Sequence, residues 1–292
     1  MWREKLNCLA YRPYTRLQRI KRKVPAMSIT TVTFNLLHPI HGQNWDELIM
    51  RRSDYNEAKR IDGTVDCLHA IITRSLRDGN DVLCIALQEV SQPQMQRLVL
   101  LAAGLNGHVA IVQLDDMPVL KEEKRRAGYT GFAEQNPEYE MVMVFGAAIG
   151  QTESNGAMFE GGNGYIAVDI PERSLTFVST HISFGTRRRG QIRQLEDVAA
   201  RSGMRGRTTC IVGGDFNCTA KTVRETCSLP CEVVSATSPT RIGKSGAHDF
   251  KAAETIDHFI VFGKQLAYPV VRVHETDVDF LSDHRPVEVV FE

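Results

Sequence analysis

The sequence predicts a mixed α/β fold in which β-sheets form the interior and helices pack outside them. Three observations carry this expectation. Strand-like apolar runs dominate the 292 residues, with helical segments interspersed among them. Successive strands are mostly hairpin-like neighbours, and few are separated by the long helical crossover that a parallel pair requires. No linker-like stretch divides residues 27–292, so one domain is expected there, preceded by a separate basic leader or arm over residues 1–26.

Taken in order, SITTVTFNLL (28–37) is the first strand, followed by a Pro/Gly/Asn loop. A helix is predicted from about Trp45 to Arg77, because Ile61, Val65, Leu68, Ile71, Ile72 and Leu76 recur at helical spacing. DVLCIALQEV (81–90) reads as a buried strand and Pro93 to Ala103 as the next helix. HVAIVQL (108–114) and YEMVMVF (139–145) are strands on either side of a charged loop with Lys121, Lys124, Arg125 and Arg126. GFAEQNPEYE and the Gly/Asn-rich SNGAMFEGGNG are expected to be rim loops. GYIAVDI (164–170) and SLTFVSTHI (174–182) are strands, Gln191 to Ala200 a helix, and TTCIVGGDFN (208–217) a further strand. A long loop over about 235–254 leads to the strand TIDHFIVF (255–262). In the terminal segment LSDHRPVEVVFE, Val287, Val289 and Phe291 recur at every second position, the period-2 pattern of a half-buried strand.

Composition narrows the class of protein. At 42% hydrophobic and 24% charged the chain fits a globular protein with a real core, and it holds no apolar run of membrane-spanning length. Seven cysteines without zinc-type spacing argue against a secreted disulfide framework and for a reducing, intracellular compartment. The net charge of zero hides an asymmetry. Residues 1–26 hold eight of the 35 bases and one of the 35 acids, which leaves residues 27–292 with 27 bases, 34 acids and a charge of about −7. Such a leader is a transit peptide, a nucleic-acid-binding arm, or a disordered extension ahead of Met27; the location is cytoplasmic, or organellar if it is a transit peptide.

The chemistry lies in the residues that close the strands. Asn35 interrupts TVTFNLL, Gln88 and Glu89 end VLCIALQEV, and His181 ends FVSTHI. Asp215 and Asn217 end CIVGGDFN, Asp257 lies in TIDHFIV, and Asp283 and His284 precede the last strand. A single such residue is usually a cap or a turn. An unpartnered buried carboxylate is costly, so several at strand ends are expected to share one site. Oxygen ligands suit a hard cation such as Mg2+ that leaves positions for a substrate phosphate.

With FNLL, LQEV, STHI, GGDFN, TIDHFIV and SDHRPV in that order from Thr33 to Pro286, the chain resembles the DNase-I-like endonuclease/exonuclease/phosphatase superfamily. The resemblance implies a four-layer α/β sandwich, two packed mixed β-sheets flanked by helices, with the site at one end. It implies Mg2+ (Mn2+ as a substitute) held by Glu89 with Asn35 beside it and Asp283 close by. Asp215 then activates or orients the attacking water, and Asn217 and His181 contact the phosphate. His284, held by Asp257, is the second phosphate-binding histidine. Leu37 replaces the Asp usual in apurinic endonucleases, and TIDHFIV lacks the aromatic-Cys-Asp-Arg element of inositol-polyphosphate phosphatases.

FNLLHP, LQEV and HISFGTRRRGQIRQLEDVAA are closer to the deadenylase, nocturnin and Angel group. The implied activity is a phosphodiesterase on RNA, acting from a 3′ end. A small-molecule or lipid-linked phosphate, a DNA substrate, and a non-catalytic binding module are the other readings. Arg187, Arg188 and Arg189 either bind the polynucleotide or form a solvated loop before the helix at Gln191. No obligate protein partner is inferred.

Overall fold

A computed structural model describes residues 28–44, 56–114, 137–146, 149–160, 162–241, 254–268, 270–275 and 281–292. The basic N-terminus, the 45–55 portion of the expected helix and the Lys121–Arg126 loop lie outside the described residues.

The chain builds two six-stranded sheets. The first runs β11 (Val270–Val273), β12 (Val287–Phe291), β1 (Ile29–Asn35), β2 (Val82–Ser91), β4 (Glu138–Phe145), β3 (His108–Leu114). The second runs β5 (Glu153–Met158), β6 (Gly164–Ile170), β7 (Leu175–His181), β8 (Thr209–Asp215), β10 (Asp257–Gly263), β9 (Cys231–Ser235). Among the described residues only β1–β2 and β7–β8 pair in parallel, each across a helical crossover; the other pairs are antiparallel.

Alternation along the strands creates four layers. Ile29, Cys84, Val144, Phe177, Ile211, Phe259 and Phe291 fill the space between the sheets. The opposite parity, with Phe34, Leu83 and Met143, packs against α2 (Glu57–Arg77) and α3 (Gln92–Gly104). On the far side, Val178, Val212 and Ile260 pack against α4 (Arg188–Met204) and α5 (Ala220–Thr226). This is the expected four-layer α/β sandwich, and no described helix is long and apolar enough to cross a membrane.

Four features depart from the sequence expectation. ESNGAM within the expected rim loop is edge strand β5, ordered by antiparallel pairing with β6 rather than by its own apolar pattern. The helix expected at Gln191 starts at Arg188, so Arg188 and Arg189 belong to its first turn. Helix α1 (Pro39–Asn44) occupies the first loop, and α5, capped by the Thr219 side chain, follows β8 directly. Strands β9 and β11 are short runs of four or five residues that pair with longer neighbours. The six described cysteines are free.

A polar file runs through the otherwise apolar space between the sheets. Thr33 Oγ1 donates to Gln88 Oε1 (3.2 Å), Gln88 Nε2 to Ser179 Oγ (2.9 Å), and Ser179 Oγ to Glu140 Oε2 (2.9 Å). Glu140 is fully buried, and its Oε1 has no hydrogen-bond partner among the described residues. Burial therefore drives its carboxyl well above the ordinary glutamate value, with Ser179 opposing weakly and neighbouring acids adding to the rise. The folded state holds this proton where the unfolded chain has released it, so stability falls as pH rises from the ordinary value toward the raised one. Glu140→Gln, which imitates the neutral acid, should therefore stabilise the protein progressively from pH 5 to 8, by up to about 1.4 kcal/mol per pH unit. Urea titrations across that range check this; an advantage independent of pH would contradict it.

Candidate active site

The site lies where the interior-facing rows of several strands run out at one end of the sandwich. Asn35 continues the row of Ile29, Thr31 and Thr33; His181 that of Phe177 and Ser179; Asp215 that of Ile211; Asp257 that of Phe259 and Val261. Register fixes the spacing, since His181 pairs with Asp215, and Asp215 with Asp257, across adjacent strands. The close approach of β7 and β8 explains the second glycine of GGDFN: a Cβ on Gly214 would stand 1.9 Å from the Thr180 carbonyl oxygen.

Glu89 breaks this rule of parity. Alternation along β2 would send it outward with Leu83, Ile85 and Leu87. A bulge between Leu87 and Val90, with Glu89 at φ 53°, turns its carboxylate toward the site instead. Asn35 Nδ2 donates to Glu89 Oε1 (3.0 Å) and Asp215 Oδ2 (3.3 Å), while its Oδ1 accepts from Leu37 N (2.9 Å). His38 N donates to Glu89 Oε2 (3.2 Å).

Around Asp215 the geometry is close. Asn217, at φ 48°, donates its backbone N–H to Asp215 Oδ1 (2.8 Å), and its side-chain Nδ2 lies 3.1 Å from His181 Nε2. Asp215 Oδ2 is 3.7 Å from His181 Nε2 and 3.5 Å from His284 Nε2. Asp257 grips His284 Nδ1 with both oxygens, at 2.9 and 3.1 Å. Asp283 Oδ2 is 3.8 Å from His284 Nε2 and accepts from Arg241 Nε (3.3 Å). The C-terminal segment is anchored by Ser282 Oγ, which donates to Asn35 O (2.6 Å), and by buried Arg60, which donates to Leu36 O and Leu281 O.

Thus Asn35, Glu89, His181, Asp215, Asn217, Asp257, Asp283 and His284, spread over most of the chain, come to one place. The arginines divide. Arg188 Nη2 donates to the Asn217 carbonyl (2.8 Å) and so braces the site from behind, whereas Arg187 and Arg189 are exposed. Arg60, His41, Glu138 and Arg241 were not legible beforehand. His41 and Glu138 are 97 residues apart yet meet at 2.9 Å beside Glu89. Arg241, stacked over Phe184 with 5.9 Å to the ring centroid, belongs to a loop whose only sequence signal was its polarity.

The charge balance favours a cation. Glu89, Asp215, Asp257 and Asp283 are all buried, against the fixed charge of Arg241 and a protonated His284. Burial lowers the His284 pKa, but Asp257, Asp283 and Asp215 outweigh it and raise it to about 10. Burial also raises Asp215, with the Asp257 charge adding to it and His284 and His181 opposing. Two of the four negative charges remain unmatched. One Asp283 oxygen, Oδ1, is buried with no hydrogen-bond partner among the described residues. Buried carboxylates with an orphaned oxygen are hard-cation chemistry, and Glu89 and Asp283 are the residues that could hold such an ion, although no cluster of three or more candidate ligands forms among the described residues.

The family model described as Endonuclease/Exonuclease/phosphatase family matches residues 32–284, a span that contains every one of these site residues. No curated protein matches the sequence. Among solved structures, the human nocturnin catalytic domain with bound sulfate aligns with a TM-score of 0.59 at 18% identity, over 91% of this chain and 93% of that one. D. rerio TDP2 complexed with single strand DNA product gives a TM-score of 0.56 at 13% identity, over 91% and 99%. The inositol polyphosphate 5-phosphatase domain of SpSynaptojanin, in complex with inositol (1,4)-bisphosphate and calcium, gives 0.51 at 12%, over 91% and 83%. At these identities the likeness is one of fold.

Asp257→Asn removes the strongest opposing charge beside His284 while keeping the shape. The imidazole pKa should fall by about two units, read by NMR titration of the ring protons; a pKa still near 10 would show that Asp257 does not hold the proton.

Proposed function

The chain belongs to the Endonuclease/Exonuclease/phosphatase family, and on that premise we propose that it is a Mg2+-dependent phosphodiesterase, tolerant of Mn2+, that hydrolyses RNA from a 3′ end. The observation that carries the phosphoryl-transfer chemistry is the triangle of Asp215, His284 and Asp257 facing Glu89 and Asp283. Asp215, its pKa raised by burial, is the group to accept a proton from an attacking water at near-neutral pH. His284, kept cationic by Asp257, donates to a phosphoryl oxygen where negative charge grows. Asn217 and His181 position the same phosphate, and Asn35 aligns the Glu89 and Asp215 carboxylates. Glu89 with Asp283 would hold the divalent ion, which supplies charge neutralisation to the phosphoryl group.

RNA is favoured by the exposed Arg187 and Arg189 at the mouth of α4, a few residues from His181, where they can take neighbouring phosphates. The acid-rich body over residues 27–292 favours a second reading, a small or lipid-linked phosphate ester. Salt separates the two, since polynucleotide binding weakens steeply with ionic strength and small-ester binding does not.

Purified protein with labelled RNA oligonucleotides should shorten them from the 3′ end in Mg2+ and leave them intact in EDTA. Asp215→Asn should lower kcat by about 10²–10⁴-fold with the fold retained. Hydrolysis of a small phosphate ester without RNA cleavage, insensitive to salt, would replace the RNA reading with the second one.

A further inference from the structure

Glu89 divides its surroundings in two. Its Oε1 faces Asn35 and, at 3.9 Å, His181, the side on which Asp215 and His284 lie. Its Oε2 faces the His38 backbone N–H and, at 4.0 Å, His41 Nε2. On this second side lies another carboxylate–imidazole pair, joined through the ring's Nε2 where Asp257 holds the Nδ1 of His284. Glu138, at the start of β4, is almost wholly buried, and its Oε2 lies 2.9 Å from His41 Nε2. The His41 side chain is 35% exposed, and its other nitrogen, Nδ1, makes no hydrogen bond among the described residues.

Resting on the phosphodiesterase reading, we propose that His41, oriented by Glu138, is a substrate-positioning residue that binds a second phosphate of the substrate, adjacent to the one that reacts. The geometry favours an anion contact over a role in the bond-breaking step. Glu89 stands between His41 and the Asp215–His284 side, so a group held by His41 lies one position further along the substrate. The Glu138 carboxylate fixes one ring nitrogen and compensates a positive ring, which leaves the other N–H as an outward donor to an anionic oxygen. Helix α1 places this donor shortly after β1, the strand that ends in Asn35, while Glu138 comes from the start of β4. Substrates with two or more phosphates in succession are thereby preferred to those with one.

Three dinucleotides decide this: one with only its internucleotide phosphate, and the same compound with a second phosphate added at its 5′ end or at its 3′ end. With Mg2+ present, the wild-type protein should favour one of the two-phosphate forms by about tenfold or more in kcat/KM, chiefly through KM, as expected for one charge-assisted contact. His41→Gln and Glu138→Gln should each reduce that preference to about twofold or less, while His41→Lys, which restores a cation, should recover part of it. A preference that survives in both Gln variants, or a wild-type protein indifferent to the second phosphate, overturns the subsite. So does an equal loss on all three substrates, since that marks His41 as part of the chemistry or of the fold. Failure of wild-type protein to cleave any of the dinucleotides removes the phosphodiesterase reading and, with it, the subsite.

Discussion

Burying several carboxylates around shared hydrogen-bonding partners is the constraint on which this molecule is organised. Each of Glu89, Asp215, Asp257 and Asp283 gives up hydration, and each like-charged neighbour adds repulsion. The fold answers with local partners: His284 gripped by Asp257, Arg241 against Asp283, Asn35 bridging Glu89 and Asp215, and the Asn217 N–H on Asp215. These answer half of the charge and leave room for a divalent ion to answer the rest.

The sandwich is suited to this task because alternation brings one side chain in two to the space between the sheets. For most of each strand that row is apolar and makes the core. At one end it changes, through Thr33, Gln88, Ser179 and Glu140, to polar groups that hydrogen-bond one another, and then to the charged site. Among the described site residues carried on strands, Glu89 alone departs from the alternation, and the bulge that turns it carries a non-glycine residue in the left-handed region, as the loop residue Asn217 does beyond β8. Strain at that position is consistent with a functional demand on the carboxylate.

Much of this was legible in the sequence because the chemistry is written in short strings at strand ends. GGDFN, STHI and SDHRP each place a polar residue just where an apolar run stops, and the order of the strings carries the fold. What was not legible depends on tertiary pairing. HPIH reads as loop until α1 brings His41 to Glu138, a residue that by itself is only the first of the strand EYEMVMVF. Arg188 reads in the sequence as either a ligand-binding or a solvated residue of the arginine loop, and its hydrogen bond to the Asn217 carbonyl comes with an α4 that starts three residues earlier than its apolar pattern indicates. ESNGAM has no apolar alternation and becomes a strand through its neighbour β6. Side chains whose partners are distant in sequence, and strands ordered by their neighbours, leave no periodic trace.

If the site carries about two uncompensated negative charges that a divalent ion matches, the ion must stabilise the folded protein. Thermal unfolding of wild-type and Glu89→Gln protein, each with millimolar Mg2+ and with EDTA, tests it without reference to any substrate. The account predicts that Mg2+ raises the wild-type Tm, by RT ln(1 + [Mg2+]/Kd) in free energy. In Glu89→Gln the gain should largely vanish, while its Tm in EDTA falls below that of the wild type, because, against the cost of burial, His41, His181 and the Asn35 amide hold Glu89 as a carboxylate and pull its pKa down to about 2. A wild-type Tm indifferent to Mg2+, or an undiminished gain in Glu89→Gln, would contradict the account.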